Sequence, residues 1–160
     1  MKKTAVEKFV AACAKAVKEE QVIDAYQHLL GVEGWPRPFG SDGLYEGTLF
    51  EFKTDVQLAG TGGYKALAQA CYYLRRALHE SVSNDAVFAA PIRVACGDLN
   101  QAFVVTADKL EAFAKSADFD WSLQPSSPDQ QLVDKLRETI PLNVYNTTTP
   151  EGIQSFLNDV

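Results

Sequence analysis

The chain has 160 residues, 46% of them apolar and 22% charged, with a formal net charge of −6. A length of this order is one ordinary domain, able to fold around its own core without a disulfide or a structural metal. The acidic balance argues against a strong autonomous grip on nucleic acid, which rests on cations that neutralise phosphates; an acidic nucleic-acid enzyme needs that grip from another domain.

In chain order, Lys2 and Lys3 followed by apolar residues superficially suggest a signal peptide, but Glu7, Lys8, Lys15 and Lys18 break up the run as in an amphipathic helix. Residues 4–18 are therefore predicted helical. A second helix is predicted over 19–31, with Val22, Ile23, Tyr26, Leu29 and Leu30 at helical spacing and Gly31 as its stop. Trp35 between Pro36, Pro38 and the preceding glycine marks a loop. Strands are predicted over 38–45 and 48–54, joined by Glu46-Gly47 as a two-residue hairpin loop. Residues 55–63 read as a flexible connection, and Gly60-Thr61-Gly62-Gly63 lacks the Gly-Lys-Ser/Thr ending of a phosphate-binding loop.

Residues 64–79 form the clearest helix, because Leu67, Cys71, Leu74 and Leu78 recur at i, i+4, i+7 and i+11. Strands follow over 85–97, with a start after Pro91 as the alternative, and over 100–106, then a helix at 107–116, a loop at 118–129, a short helix at 129–138 and a last strand at 141–147. Thr149 and Pro150 suit the N-cap and first position of a helix over 150–158. The order α-α-β-β-α-β-β-α-α-β-α predicts an α/β (α+β) domain, a central mixed β-sheet flanked by helices. No stretch approaches 18 uninterrupted apolar residues, so no membrane span is expected.

The stretch from Ser41 to Lys53 carries the chemistry. Residues two apart in a strand share a face, so Glu51 and Lys53 point one way while Phe50 and Phe52 point the other. With Glu46-Gly47 as the loop, Tyr45 faces Thr48, Leu44 faces Leu49, Gly43 faces Phe50 and Asp42 faces Glu51. Two carboxylates so opposed repel, and a divalent cation removes the conflict; Mg²⁺ is commonly held by one or two carboxylates with water and phosphate oxygens. An odd-numbered loop shifts the pairing by one and puts Asp42 on the wrong face. Spacing alone also fits a surface hairpin with scattered charges. On the following helix, Gln69, Tyr73 and Arg76 fall at i, i+4 and i+7, and Gln69 lies about 200° around the axis from Leu67. That stripe suits a cleft or an ordinary solvated face.

Asp42, eight intervening residues, then Glu51-Phe52-Lys53 resembles the Asp…(Asp/Glu)-x-Lys core of the PD-(D/E)XK nuclease superfamily. Gln69-Ala70-Cys71-Tyr72-Tyr73 is similar to the Gln-x-x-x-Tyr element that follows in several branches of it. The resemblance covers residues 19–106 and implies a restriction-endonuclease-like fold and Mg²⁺- or Mn²⁺-dependent hydrolysis of DNA. It implies that Asp42, Glu51 and the Phe52 carbonyl bind metal, that Lys53 serves the attacking water with Gln69 beside it, and that Tyr73, Arg76 and Lys65 meet DNA. The proline that often precedes the first Asp is replaced by Ser41. An acidic ligand on the first helix of the family falls to Glu20, with Glu19 and Asp24 competing. The segment from His28 to Lys53 also looks like the amino-terminal nuclease part of bacterial restriction–modification polypeptides, which implies a methyltransferase or helicase partner and a chain that is one part of a longer protein.

Cys13, Cys71 and Cys96 are odd in number and lack ligand spacing; they read as buried free thiols of a cytoplasmic protein. His28 and His79 lack ligand partners in sequence and read as surface or helix-end residues.

Overall fold

The computed structural model describes residues 4–54, 57–81 and 88–160. Among them, six α-helices and a five-stranded mixed sheet follow the predicted order. The elements are α1 (Ala5–Lys15), α2 (Glu19–Leu29), β1 (Gly43–Tyr45), β2 (Thr48–Phe52), α3 (Thr61–Ser81), β3 (Arg93–Gly97), β4 (Gln101–Thr106), α4 (Glu111–Lys115), α5 (Gln130–Thr139), β5 (Tyr145–Asn146) and α6 (Pro150–Asp159). None of these helices is long and apolar enough to cross a membrane.

The hairpin turn forms as its residues dictate. Glu46 and Gly47 both take positive φ, 49° and 82°, the backbone twist that suits a two-residue loop between right-twisted strands. This turn sets the pairs Tyr45↔Thr48, Leu44↔Leu49 and Gly43↔Phe50. β2 then runs parallel to β3, with Glu51 beside Cys96, and α3 makes the crossover between them. β3–β4 and β4–β5 are antiparallel, so the sheet order is β1-β2-β3-β4-β5.

Strand alternation divides the core in two. Leu49, Val94, Cys96, Phe103 and Val105 face α3, α4 and α5, whose Leu67, Cys71, Leu74, Leu132 and Leu136 cover them. Phe50, Phe52, Ala95 and Ala102 face the other layer, built from α1, α2 and α6 with Phe9, Tyr26, Trp35 and Phe156. α1 and α6 bring their own start signals: Thr4 accepts from the Glu7 N–H at 3.1 Å, and Thr149 accepts from the Gly152 N–H at 3.1 Å with Pro150 next to it. All three cysteines are buried free thiols, and burial pushes Cys13 and Cys71 up to about 12.

Several boundaries differ from the predicted ones. The expected strand over 38–45 shrinks to Gly43–Tyr45, because Pro38–Gly40 forms a 3-10 turn with Phe39 at φ 66°. Prolines in this segment also lack the donors a ladder needs. Of the two starts open for the strand over 85–97, the one after Pro91 is taken, at Arg93, and residues 85–87 lie outside those described. α3 begins at Thr61, within the run expected to be flexible. Buried Gly63 packs so close to the Leu58 carbonyl that a Cβ would lie 2.0 Å from its oxygen, so this tight local turn requires glycine despite its poor helix propensity. The last strand keeps only Tyr145 and Asn146.

Candidate functional site

β2 presents Glu51 to the α3 side and buries it to 3% exposure. On the opposite side, Phe50 and Phe52 stack under the Trp35 indole at centroid distances of 4.6 and 6.1 Å. The indole lies directly over Gly43, where a Cβ would fall 2.3 Å from its Nε1. Its Nε1–H donates to the Asp42 carbonyl at 2.9 Å, so Trp35 pins the backbone of Asp42.

Asp42 stands one residue beyond the last β1–β2 pair, Gly43↔Phe50. Its expected place opposite Glu51 as a ladder pair is thus not taken. The Asp42 N–H donates to the Phe50 carbonyl at 3.1 Å, and Asp42 Oδ2 accepts from the Phe52 N–H at 2.7 Å. Its carboxylate is therefore fastened to the backbone at the end of β2, and its charge still reaches Glu51.

Lys53 continues the parallel pairing, its N–H donating to the Gly97 carbonyl at 2.9 Å. Its Nζ lies 3.1 Å from Glu51 Oε1 and donates to Gln69 Oε1 at 2.6 Å. Gln69 Nε2 donates in turn to the Tyr73 hydroxyl at 2.8 Å. The stripe of Gln69 and Tyr73 is not a solvated face: both are buried, at 6% and 5% exposure, because α3 lies between the sheet and α4–α5. Lys65 and Arg76, further along the same stripe, are exposed.

The electrostatics follow from burial. Glu51 is pushed up to about 8, first by desolvation and then by the Asp42 charge, with Lys53 pulling the other way. Asp42 is also raised by burial, opposed by the Phe52 N–H. The Tyr73 hydroxyl is raised by burial and by the nearby Glu51 charge. Glu51 Oε2 is buried without a hydrogen-bond partner.

Of the candidate acids on α2, Glu20 is taken up by Arg37, whose Nη1 and Nη2 donate to Oε2 and Oε1 at 3.0 and 2.6 Å. The Glu20 side chain is 60% exposed, and its pairing faces solvent. Glu19, the neighbour that competed with it in sequence, is the acid of α2 whose charge raises both Asp42 and Glu51. Asp24 lines a separate cavity of about 580 Å³ between α1 and α2. His28 and His79 are exposed in the last turns of α2 and α3.

Among the described residues, no group of three or more His, Cys, Asp or Glu side chains is placed to hold a metal ion. The Asp42–Glu51 pair is compatible with a hard divalent cation all the same. Mg²⁺ needs only one or two carboxylates, and the unpartnered buried Oε2 of Glu51 is the kind of acceptor that a cation satisfies. Sequence reasoning missed Trp35 and Arg37 as parts of this arrangement. A tryptophan set among prolines just before the acidic strand was the available signal, since an aromatic ring in a loop must pack on something close by. Comparison with protein families, with curated proteins and with solved structures gives no match to this chain.

Proposed function

We propose that this chain is a metal-dependent DNA endonuclease domain of the PD-(D/E)XK kind, with a restriction-endonuclease-like arrangement of its sheet and helices. The observation that carries the reading is Glu51: a carboxylate buried beside Asp42, with Oε1 on Lys53 and Oε2 short of a full hydrogen bond although the Tyr73 hydroxyl lies near it. A buried acid so placed is costly to the fold and is characteristic of functional sites. Asp42, Glu51 and the Phe52 carbonyl would hold one Mg²⁺ or Mn²⁺, with Glu19 rather than Glu20 as the supporting acid from α2. Bound there, the ion supplies charge stabilisation for the scissile phosphate and a water of lowered pKa.

The chain's own residues do the rest. Lys53 holds an ammonium beside the carboxylates and stabilises the negative charge that grows on the phosphate as it is attacked. Gln69 fixes the direction of that ammonium, and Tyr73 fixes Gln69. Lys65 and Arg76 extend the same stripe of α3 toward solvent and suit flanking phosphates. The net charge of −6 leaves overall DNA affinity to a partner, of which a methyltransferase or helicase domain of a cytoplasmic restriction–modification system is the kind in view.

One observation favours a catalytically silent module of the same fold for DNA binding or assembly. Lys53 is already bonded to both Glu51 and Gln69, and Asp42 to the β2 backbone. A plasmid-nicking assay with Mn²⁺, run beside a calorimetric Mn²⁺ titration, separates the two. The nuclease nicks, and Glu51→Ala and Lys53→Ala each lose roughly a hundredfold or more in rate. Cleavage by Lys53→Ala at the parental rate overturns the assignment, whereas metal uptake with no nicking selects the silent module.

A further inference from the structure

Past Tyr73, α3 runs into a second constellation. Arg75, Arg76 and His79 line a cavity of about 330 Å³ with Tyr72, Glu80 and Trp121. Sites for small ligands start at about this size. Arg75 is held in place: its guanidinium carbon sits 4.9 Å from the Trp121 ring centroid, and Nη1 donates to the Ala114 carbonyl at 2.8 Å. Trp121 is itself fixed, its Nε1–H donating to the Ser116 carbonyl at 2.7 Å and its ring meeting Tyr72 edge-on at 4.8 Å. Arg76 is anchored through Nη1 to the Phe39 carbonyl at 2.8 Å, with its guanidinium 5.8 Å from the Tyr73 ring.

Both guanidiniums are thus oriented by carbonyls and rings. Neither takes part in an ion pair among the described residues. Each is anchored through a single terminal nitrogen, which leaves most of its planar fork of donors for a ligand. Such a fork matches the paired oxygens of a phosphate. In a chain with 21 acidic against 15 basic residues, two neighbouring arginines with no carboxylate in ion-pair contact are against the general trend. Glu80 is the one acid in the lining, and His79 adds a further nitrogen donor.

We propose that this cavity is a second phosphate subsite, which takes a phosphodiester of the nucleic-acid strand several nucleotides from the bond that is cut. The identity of the strand rests on the nuclease reading of Asp42, Glu51 and Lys53; the affinity for an anion does not. Arg76 lies seven residues beyond Gln69 on α3, about 10 Å along the axis. Where the axis of a duplex runs along α3, that is about three phosphate steps of one strand at roughly 3.4 Å of axial rise each. A strand lying along α3 therefore reaches both places at once.

The test is fluorescence anisotropy of a labelled oligonucleotide, single-stranded and duplex, in EDTA so that no metal and no turnover contribute. The parental chain, Arg75→Gln and His79→Glu are compared across a salt series. His79 is exposed, so an acid placed there leaves the Trp121 packing intact even if Arg75→Gln weakens the fold. Each variant is expected to bind several-fold more weakly, and Arg75→Gln to flatten the salt slope by about one. Parental affinity and slope in both variants overturn the proposal. So does a loss of inorganic pyrophosphate binding, titrated calorimetrically on the same variants, with oligonucleotide binding unchanged, which makes the cavity a site for a free anion. If the parental chain neither nicks DNA nor takes up Mn²⁺, yet the variants lose oligonucleotide affinity, the subsite stands and the cleavage reading fails.

Discussion

A buried carboxylate flanked by one cation and one anion has a definite pH signature. Glu51 titrates at about 8 in the folded chain against an ordinary 4.5, because burial and Asp42 outweigh Lys53. As pH rises above the ordinary value, the unfolded chain releases this proton and the folded chain keeps it. The group's contribution to stability is therefore fully present below about 4.5 and is lost as pH rises through about 8. The loss is on the order of a few kcal/mol. Glu51→Gln is accordingly expected to raise the urea midpoint clearly at alkaline pH and to leave it nearly unchanged in acid, where both side chains are neutral. Equal shifts at the two pH values are inconsistent with a protonated Glu51. The same proton opposes metal binding. Mn²⁺ uptake at neutral pH should release close to one proton, and apparent affinity should fall about tenfold per pH unit below the folded-state value. Calorimetry in two buffers of different ionisation heat reads that proton, and Glu51→Gln should abolish it.

At the scale of elements, the site depends on how a short hairpin is locked to the loop before it. Trp35 stacks on Phe50 and bonds the Asp42 carbonyl, and Gly43 leaves room for the ring. Gly43→Ala forces the indole away and is expected to cost about 1–3 kcal/mol as an overpacked core does. Trp35→Phe keeps most of the stacking and leaves the Asp42 carbonyl without its donor, for about 1 kcal/mol. Both should weaken Mn²⁺ binding in calorimetry, because Asp42 loses its backbone anchor. Unchanged metal affinity in both variants places Asp42 outside the metal's reach. The hairpin itself was legible: Glu46-Gly47 is a two-residue loop, and the pairs from Tyr45 to Gly43 follow by counting. Counting failed at the next step, Asp42, because the side chain turned to a free backbone N–H at the end of β2. Strand arithmetic has no term for such an end effect.

The whole molecule is a sheet with a helical layer on each face, and the site draws on both. Glu51, Lys53, Gln69 and Tyr73 meet on the α3 side, while Trp35 holds Asp42 from the α2 side. The layers are therefore expected to unfold together. Phe156→Ala, a fully buried ring on α6, should cost about 3–5 kcal/mol. Far-UV circular dichroism, which reports the helices of both layers, and the emission of Trp121 and Trp35, one against each core, should shift to one lower midpoint. Two separated transitions are incompatible with a shared core.

Local chemistry in the chain was enough to determine the order of the elements, the turn at Glu46-Gly47, the opposed faces of Glu51 and Phe50, and the cap at Thr149. Each depends on residues a few positions apart, where periodicity and backbone preference decide. The tertiary structure alone decided that Gln69 is buried against Lys53, 16 residues away, rather than solvated. It likewise gave Glu20 to Arg37, 17 residues on, and laid Trp35 over Gly43. A polar side chain reads the same in sequence whether it meets water or a partner, and only the approach of distant segments removes the water.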